Sequence, residues 1–131
     1  MSTAFDNKRL VQSIYEAAAR GDGATFFAAL DPEVEVYEPE CLPFGGVHRG
    51  FDDIQQMFGQ VGSLLEPGRL DVVDLTAEDD RVVALVRVGL NNGSETLLSE
   101  HWRVQNDRIV EVRAFWVDPT ALPVADAAQT A

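Results

Sequence analysis

RLDVVDLTAEDDRVVALVRVGLNNGSETLLSEHWRVQNDRIVEVRAFWV, residues 69–117, decides the fold. Apolar, β-branched and aromatic side chains alternate with polar ones, and short polar breaks interrupt them at Glu78-Asp79-Asp80, Asn91-Asn92-Gly93 and Gln105-Asn106-Asp107. The two-residue period predicts strands near 69–77, 81–90, 95–105 and 108–117. Breaks this short force antiparallel neighbours, because a parallel crossover needs about a dozen residues or more. Alternation also sorts the side chains by face. Leu98, Glu100, Trp102 and Val104 share one face of their strand, opposite Leu97, Ser99, His101 and Arg103; Val110, Val112, Ala114, Trp116 and Asp118 share one face of the last strand. The two tryptophan-bearing faces have the bulk of a core or pocket wall, and each carries one carboxylate, Glu100 and Asp118.

Upstream the period is helical. Leu10, Val11, Ile14 and Ala18 predict a helix over residues 6–20, with Asp6 or Asn7 as cap and Gly21-Asp22 closing it. Phe26, Phe27 and Leu30 supply the buried side of a second helix over 24–30, stopped by Asp31-Pro32. Val34, Val36 and Glu38 then alternate with Glu33, Glu35 and Tyr37 in a strand that ends at Pro39, and residues 39–50, rich in Pro and Gly, read as a loop. Phe51, Ile54, Met57, Phe58, Val61, Leu64 and Leu65 predict a third helix. Helices first and a meander afterwards imply an α+β fold, with three helices packed on one face of a curved antiparallel sheet. Residues 1–120 form one domain in this reading, and 121–131 a flexible tail, since little apolar periodicity follows Pro119.

At 131 residues the chain fits one domain, and its single cysteine, Cys41, allows no internal disulfide. Ten Lys and Arg against 22 Asp and Glu leave a net charge of −12, which repels phosphate backbones and anionic membranes and excludes nucleic acid as a partner. The opening Met1-Ser2-Thr3-Ala4-Phe5-Asp6 has no basic segment before an apolar run, and stretches such as Val82 to Val86 fall far short of the roughly 20 residues that span a bilayer. A cytoplasmic protein is the expectation. Two histidines on separate elements and one cysteine make no metal-ligand pattern, and Gly45-Gly46 and Gly50 lack the spacing of a phosphate-cradling loop, so neither metal nor cofactor is expected.

Four stretches carry a resemblance: Ala19-Arg20-Gly21-Asp22, Leu42-Pro43-Phe44-Gly45-Gly46-Val47-His48-Arg49-Gly50, Arg108-Ile109-Val110-Glu111 and Phe115-Trp116-Val117-Asp118-Pro119. In this order, over about residues 6–120, they resemble the nuclear-transport-factor-2-like superfamily, and within it the SnoaL-like branch with its polyketide cyclases and the related ketosteroid isomerases. The resemblance implies a cone-shaped sheet whose open end admits a small hydrophobic molecule, and commonly a homodimer built on the sheet. It implies no reaction, because the fold hosts isomerases, cyclases, hydrolases and proteins without catalysis. Val36-Tyr37-Glu38-Pro39 resembles the isomerase motif whose acid is the general base, which gives Glu38 that role. Ser99-Glu100-His101-Trp102-Arg103 resembles the strand whose protonated acid hydrogen-bonds the substrate oxyanion, which points to Glu100. Asp118 resembles an acid near the end of the last strand that many SnoaL-like members carry.

Glu38, Glu100 and Asp118 are therefore the candidate catalytic set, with Tyr15, Phe27, Tyr37, Met57, Trp102 and Trp116 as candidate substrate contacts. A carboxyl in an apolar, partly dry pocket disfavours its charged form, so its pKa climbs from about 4.3 toward neutrality and it can exchange protons at pH 7. Such a set suits isomerisation or cyclisation of a hydrophobic carbonyl compound without a cofactor. The isomerase tyrosine falls by spacing at Ile14, with Tyr15 one residue and about 100° away, which disfavours steroid isomerisation. The strand over 81–90 offers only Arg87 where epoxide hydrolases need an Arg-x-Asp pair, which disfavours that chemistry. Plainer readings stand beside these. Glu38 and Glu100 can be surface acids of an acid-rich chain, Asp118 a turn-former, and the aromatics ordinary core, in which case the protein is a noncatalytic ligand-binding or dimeric interaction module. His101 lies on the face opposite Trp102, as a sheet-surface or dimer-interface residue, and His48 holds its loop against the third helix.

Overall fold

A computed structural model describes residues 3–122. Helix α1 (Ala4–Ala19) is followed by α2 (Gly23–Ala28), β1 (Leu30–Glu38), β2 (Gly46–Arg49), α3 (Phe51–Gly62), β3 (Leu65–Glu78), β4 (Arg81–Leu90), β5 (Glu95–Gln105), β6 (Arg108–Trp116) and a 3₁₀ turn at Pro119–Ala121. The six strands form one curved, unclosed sheet in the order β2-β1-β6-β5-β4-β3. The helices cover one face of it, α1 against β3 and β4 and α3 against β1, β2 and β3. The α+β architecture holds, with one amendment: β1 runs parallel to β6, so the sheet is mixed. Residues 39–107 separate these two strands; a connection of that length permits parallel pairing, which short hairpins forbid.

The hairpins follow their turn chemistry. Asn106 and Asp107, the two residues between β5 and β6, both have positive φ (53° and 62°), the geometry that matches the right-handed twist of paired strands. On β6 the alternation slips once, because Arg103 pairs with Glu111 but Val104 with Ile109. Val110 is the extra residue of a bulge, so Ile109 takes the inward place expected for Val110.

Thr3 and Asp6 close α1 with a capping box, so Asp6 stands at the third helical position and Asn7 lies inside the helix. The buried stripe of α1 is Asn7, Val11, Ile14 and Tyr15, one step round from the Leu10–Ala18 stripe of the sequence reading; Ala18 is exposed. Leu30 belongs to β1 rather than α2, and Gly46–Arg49 forms a short strand within the predicted loop. Between β1 and β2 the chain doubles back so tightly that a Cβ on Gly45 would lie 2.1 Å from the Pro39 carbonyl oxygen. That turn buries Leu42 and Phe44. Leu122 is buried in the core; from residue 123 on, the tail expected over 121–131 lies outside the described residues. Among the described residues no helix is long and apolar enough to cross a membrane.

Candidate functional site

Between the helices and the sheet lies an apolar cavity of about 200 Å³. Its walls come from α1, α2, α3 and five strands, and its rim from Ala18, Phe26, Phe58, Gly62, Leu65 and Leu70. Larger depressions at the Asp79–Asp80 turn and between α1 and β3 are more polar and more open to solvent. Strand parity carries two carboxyls into this cavity. Glu38 ends β1 on the inward side of Val34 and Val36, and Glu100 stands between Leu98 and Trp102 on β5.

Each carboxyl has an aromatic partner. Trp116 Nε1–H donates to Glu38 Oε1 (3.0 Å). Trp102 Nε1–H donates to Tyr15 Oη (2.8 Å), and Tyr15 O–H donates to Glu100 Oε1 (2.5 Å). The Tyr15 and Trp102 rings meet edge to face at 5.5 Å, which holds the phenol against β5. Burial pushes the Glu38 pKa up to about 7; the Trp116 hydrogen bond opposes that rise, the Glu100 charge adds to it, and His48 offsets part of it. Burial also raises the pKa of Glu100, against the opposing hydrogen bond from Tyr15. Glu100 keeps intermediate exposure as a residue although protein surrounds its carboxyl, as expected of a side chain lining an open cavity. Tyr15 is raised well above the ordinary phenol value, first by burial, then by the Glu100 charge and hydrogen bond. At neutral pH the phenol is a donor, not a base.

His48 supports the site from behind. Its Nδ1 lies 2.9 Å from Asp53 Oδ1 and its Nε2 2.7 Å from the Phe44 carbonyl oxygen. Both partners are acceptors, so the ring is fully satisfied only as an imidazolium. Burial disfavours that form, but the bonds to Asp53 and Phe44 and the Asp53 charge outweigh it and raise the His48 pKa. The ring thus holds the 39–45 turn against α3, as read from the sequence, and places Phe44 against Trp116 at 6.5 Å. The sequence reading did not connect it to Glu38.

Of the nine candidate residues, the cavity gathers Glu38, Glu100, Tyr15, Trp102 and Trp116. Asp118 is not among its lining. β6 ends at Trp116, and the Asp118 carboxyl turns back to accept from Thr120 N (3.1 Å) and Thr120 Oγ1 (2.5 Å), capping the 3₁₀ turn at an exposed position. Tyr37 lies on the outer face, as the parity of β1 dictates, with its hydroxyl on Glu35 (3.2 Å) and the Arg113 guanidinium 3.8 Å from its ring centre. Met57 is fully buried in the core, and Phe27 packs against Phe26 and Phe58; these two neighbours, not Met57 or Phe27, face the cavity. Tyr15 points inward because it follows Val11 by four residues and shares its stripe. Its neighbour Ile14 also lines the cavity. Among the described residues no cluster of His, Cys, Asp or Glu is arranged to hold a metal.

The SnoaL-like domain family matches residues 11–112 of this chain. An uncharacterized protein of Mycobacterium tuberculosis (strain ATCC 25618 / H37Rv) is 26% identical over 117 residues, covering 86% of this chain and 89% of that protein. Among solved structures, an NTF2-like protein from Burkholderia thailandensis E264 is similar with a TM-score of 0.78 and 28% identity, over 98% of this chain and 99% of that one. A protein with a cystatin-like fold from Xanthomonas campestris gives 0.75 and 27% identity, over 91% and 94%.

Proposed function

Because the chain belongs to the SnoaL-like domain family, we propose that it moves protons on a small hydrophobic carbonyl compound without a cofactor, as an isomerase or cyclase. One observation carries the reading: two carboxyls with raised pKa values line a single apolar cavity. Each is poised differently. Glu38, near 7, is substantially ionised at neutral pH and is the base that removes a proton from the carbon beside the carbonyl. Burial disfavours the charged form of Glu100, and we assign it the part of the acid. Tyr15 occupies Oε1 of Glu100, which leaves the other oxygen to carry the proton and donate it to the substrate oxygen as the enolate forms. Glu38 then returns its proton to carbon, at the same or a conjugated position, and both carboxyls are restored. In a cyclisation the enolate carbon attacks a second carbonyl of the same molecule, whose oxygen takes up the proton. Tyr15 is a positioning residue, orienting Glu100 and itself held by Trp102.

Solvent deuterium incorporation beside the carbonyl of simple cyclic ketones, followed by NMR, tests this. The wild-type protein accelerates incorporation; Glu38→Gln and Glu100→Gln slow it by about 10²–10⁴-fold while remaining folded. Equal rates in all three proteins remove both residues from the mechanism and leave a noncatalytic ligand-binding module.

We also propose a homodimer through the outer sheet face, where Val83, Phe115 and Val117 are exposed and His101 packs on Phe115 at 5.1 Å. Sedimentation at two protein concentrations checks it, and a monomer at both rejects it.

A further inference from the structure

The polar groups of the cavity wall are already committed to each other. Among the described residues no Lys or Arg lines it, and the side-chain hydrogen-bond donors they supply are two indole N–H groups and one phenol. Trp116 donates to Glu38, Trp102 to Tyr15, and Tyr15 to Glu100. What remains for a ligand is the pair of carboxyls, which donate only when protonated. A ligand carboxylate or phosphate would enter with no cation to pair it, no free indole or phenol to solvate it, and two acids in the same wall, a combination that makes burial of an anion costly. A neutral carbonyl oxygen, by contrast, needs one donor, and a protonated carboxyl supplies it.

Size sets the second limit. The cavity, at about 200 Å³, is smaller than the roughly 300–1,000 Å³ of pockets that enclose drug-sized ligands. Its rim is apolar, with two residues without bulk, Ala18 and Gly62, at the exposed edge. Resting on the proton-transfer reading for the carbonyl group itself, we infer that the cavity selects an uncharged ketone of one or two rings, and turns away anionic ligands of that size and four-ring compounds alike.

The chain has two tryptophans, and both line the cavity, so intrinsic fluorescence reports its occupancy directly. The full-length protein at pH 8 is titrated with 1-tetralone, with tetralin-1-carboxylate as its charged counterpart, and with a four-ring 3-oxo steroid. The expected result is a saturable change with 1-tetralone, binding of the carboxylate at least about tenfold weaker, and no change with the steroid. Carboxylate or steroid binding as tight as that of 1-tetralone overturns the inference, and so does the absence of binding by all three. Deuterium incorporation into 1-tetralone, read on the same samples, separates the two levels. Selective binding without exchange keeps the ligand class and removes the proton transfer; exchange together with steroid binding does the reverse.

Discussion

Glu38-Pro39 and Asp118-Pro119 are the same dipeptide pattern, an acid before proline at the end of a strand, yet they have opposite fates. Glu38 is the last residue of β1 and still inside the ladder, paired with Gly46, so parity fixes its side chain on the inward face. Asp118 lies two residues past the end of β6, where no partner strand imposes parity, and its carboxyl caps the turn that follows. One acid is stripped of water and titrates near neutrality; the other sits exposed at a chain turn. Carboxylate chemistry at a strand end thus depends on whether the ladder reaches the residue.

The sharpest way to break this contrast is to remove each carboxyl in turn. Glu38→Gln preserves the acceptor for Trp116 but removes the base, and we expect deuterium exchange to fall by about 10²–10⁴-fold. Asp118→Asn is expected to leave the rate within about twofold of wild type, because a capping residue makes no general-base contribution. Comparable losses in both variants would erase the distinction.

Stability against pH separates them next. Because the folded-state pKa of Glu38 is raised, the folded protein holds a proton that the unfolded chain has released between about pH 4.5 and about pH 7. The stability present below pH 4.5 is therefore lost as pH rises through that window, by of the order of 3 kcal/mol from Glu38. Glu100 is shifted in the same direction, so Glu38→Gln should flatten the slope without abolishing it. Urea midpoints across that range measure it. Tyr15→Phe tests the hydrogen-bonded chain beside Glu100: it orphans the buried Trp102 N–H, at about 1–3 kcal/mol, and moves the Glu100 pKa further up by removing the bond that lowers it. Thermal denaturation and carboxyl titration read the two effects. The smallest expected effect is that of Asp118→Ala, about 1 kcal/mol from a lost cap with ligand binding unchanged.

Much of this was legible in the residues, for a physical reason. Strand alternation is a local property, so the inward set Leu98, Glu100, Trp102 and Val104 and the outward placement of His101 could be read from period alone. The same rule already put Tyr37 opposite Glu38, on the outer face with Glu35 and Arg113. Other features depend on partners distant in sequence. The parallel pairing of β1 with β6 and the bulge at Val110 arise between strands, and no local pattern announces them. On the helices the uncertainty was rotational: a stripe drawn through Leu10 and Ala18 rather than Asn7 and Tyr15 obscures the phenol that holds Glu100. The choice between Phe26 and Phe27, or Met57 and Phe58, turned on which side of a buried stripe borders empty space, and the packing around a cavity is not written in the period of one helix.

Glu38 holds its carboxyl among apolar walls, where it can exchange a proton at neutral pH. Carbon-13 NMR titration of the glutamate carboxyls, with Glu38→Gln to assign the resonance, tests it most directly. The account predicts a Glu38 midpoint of about 7; a midpoint near the ordinary glutamate value of about 4.3 would contradict it.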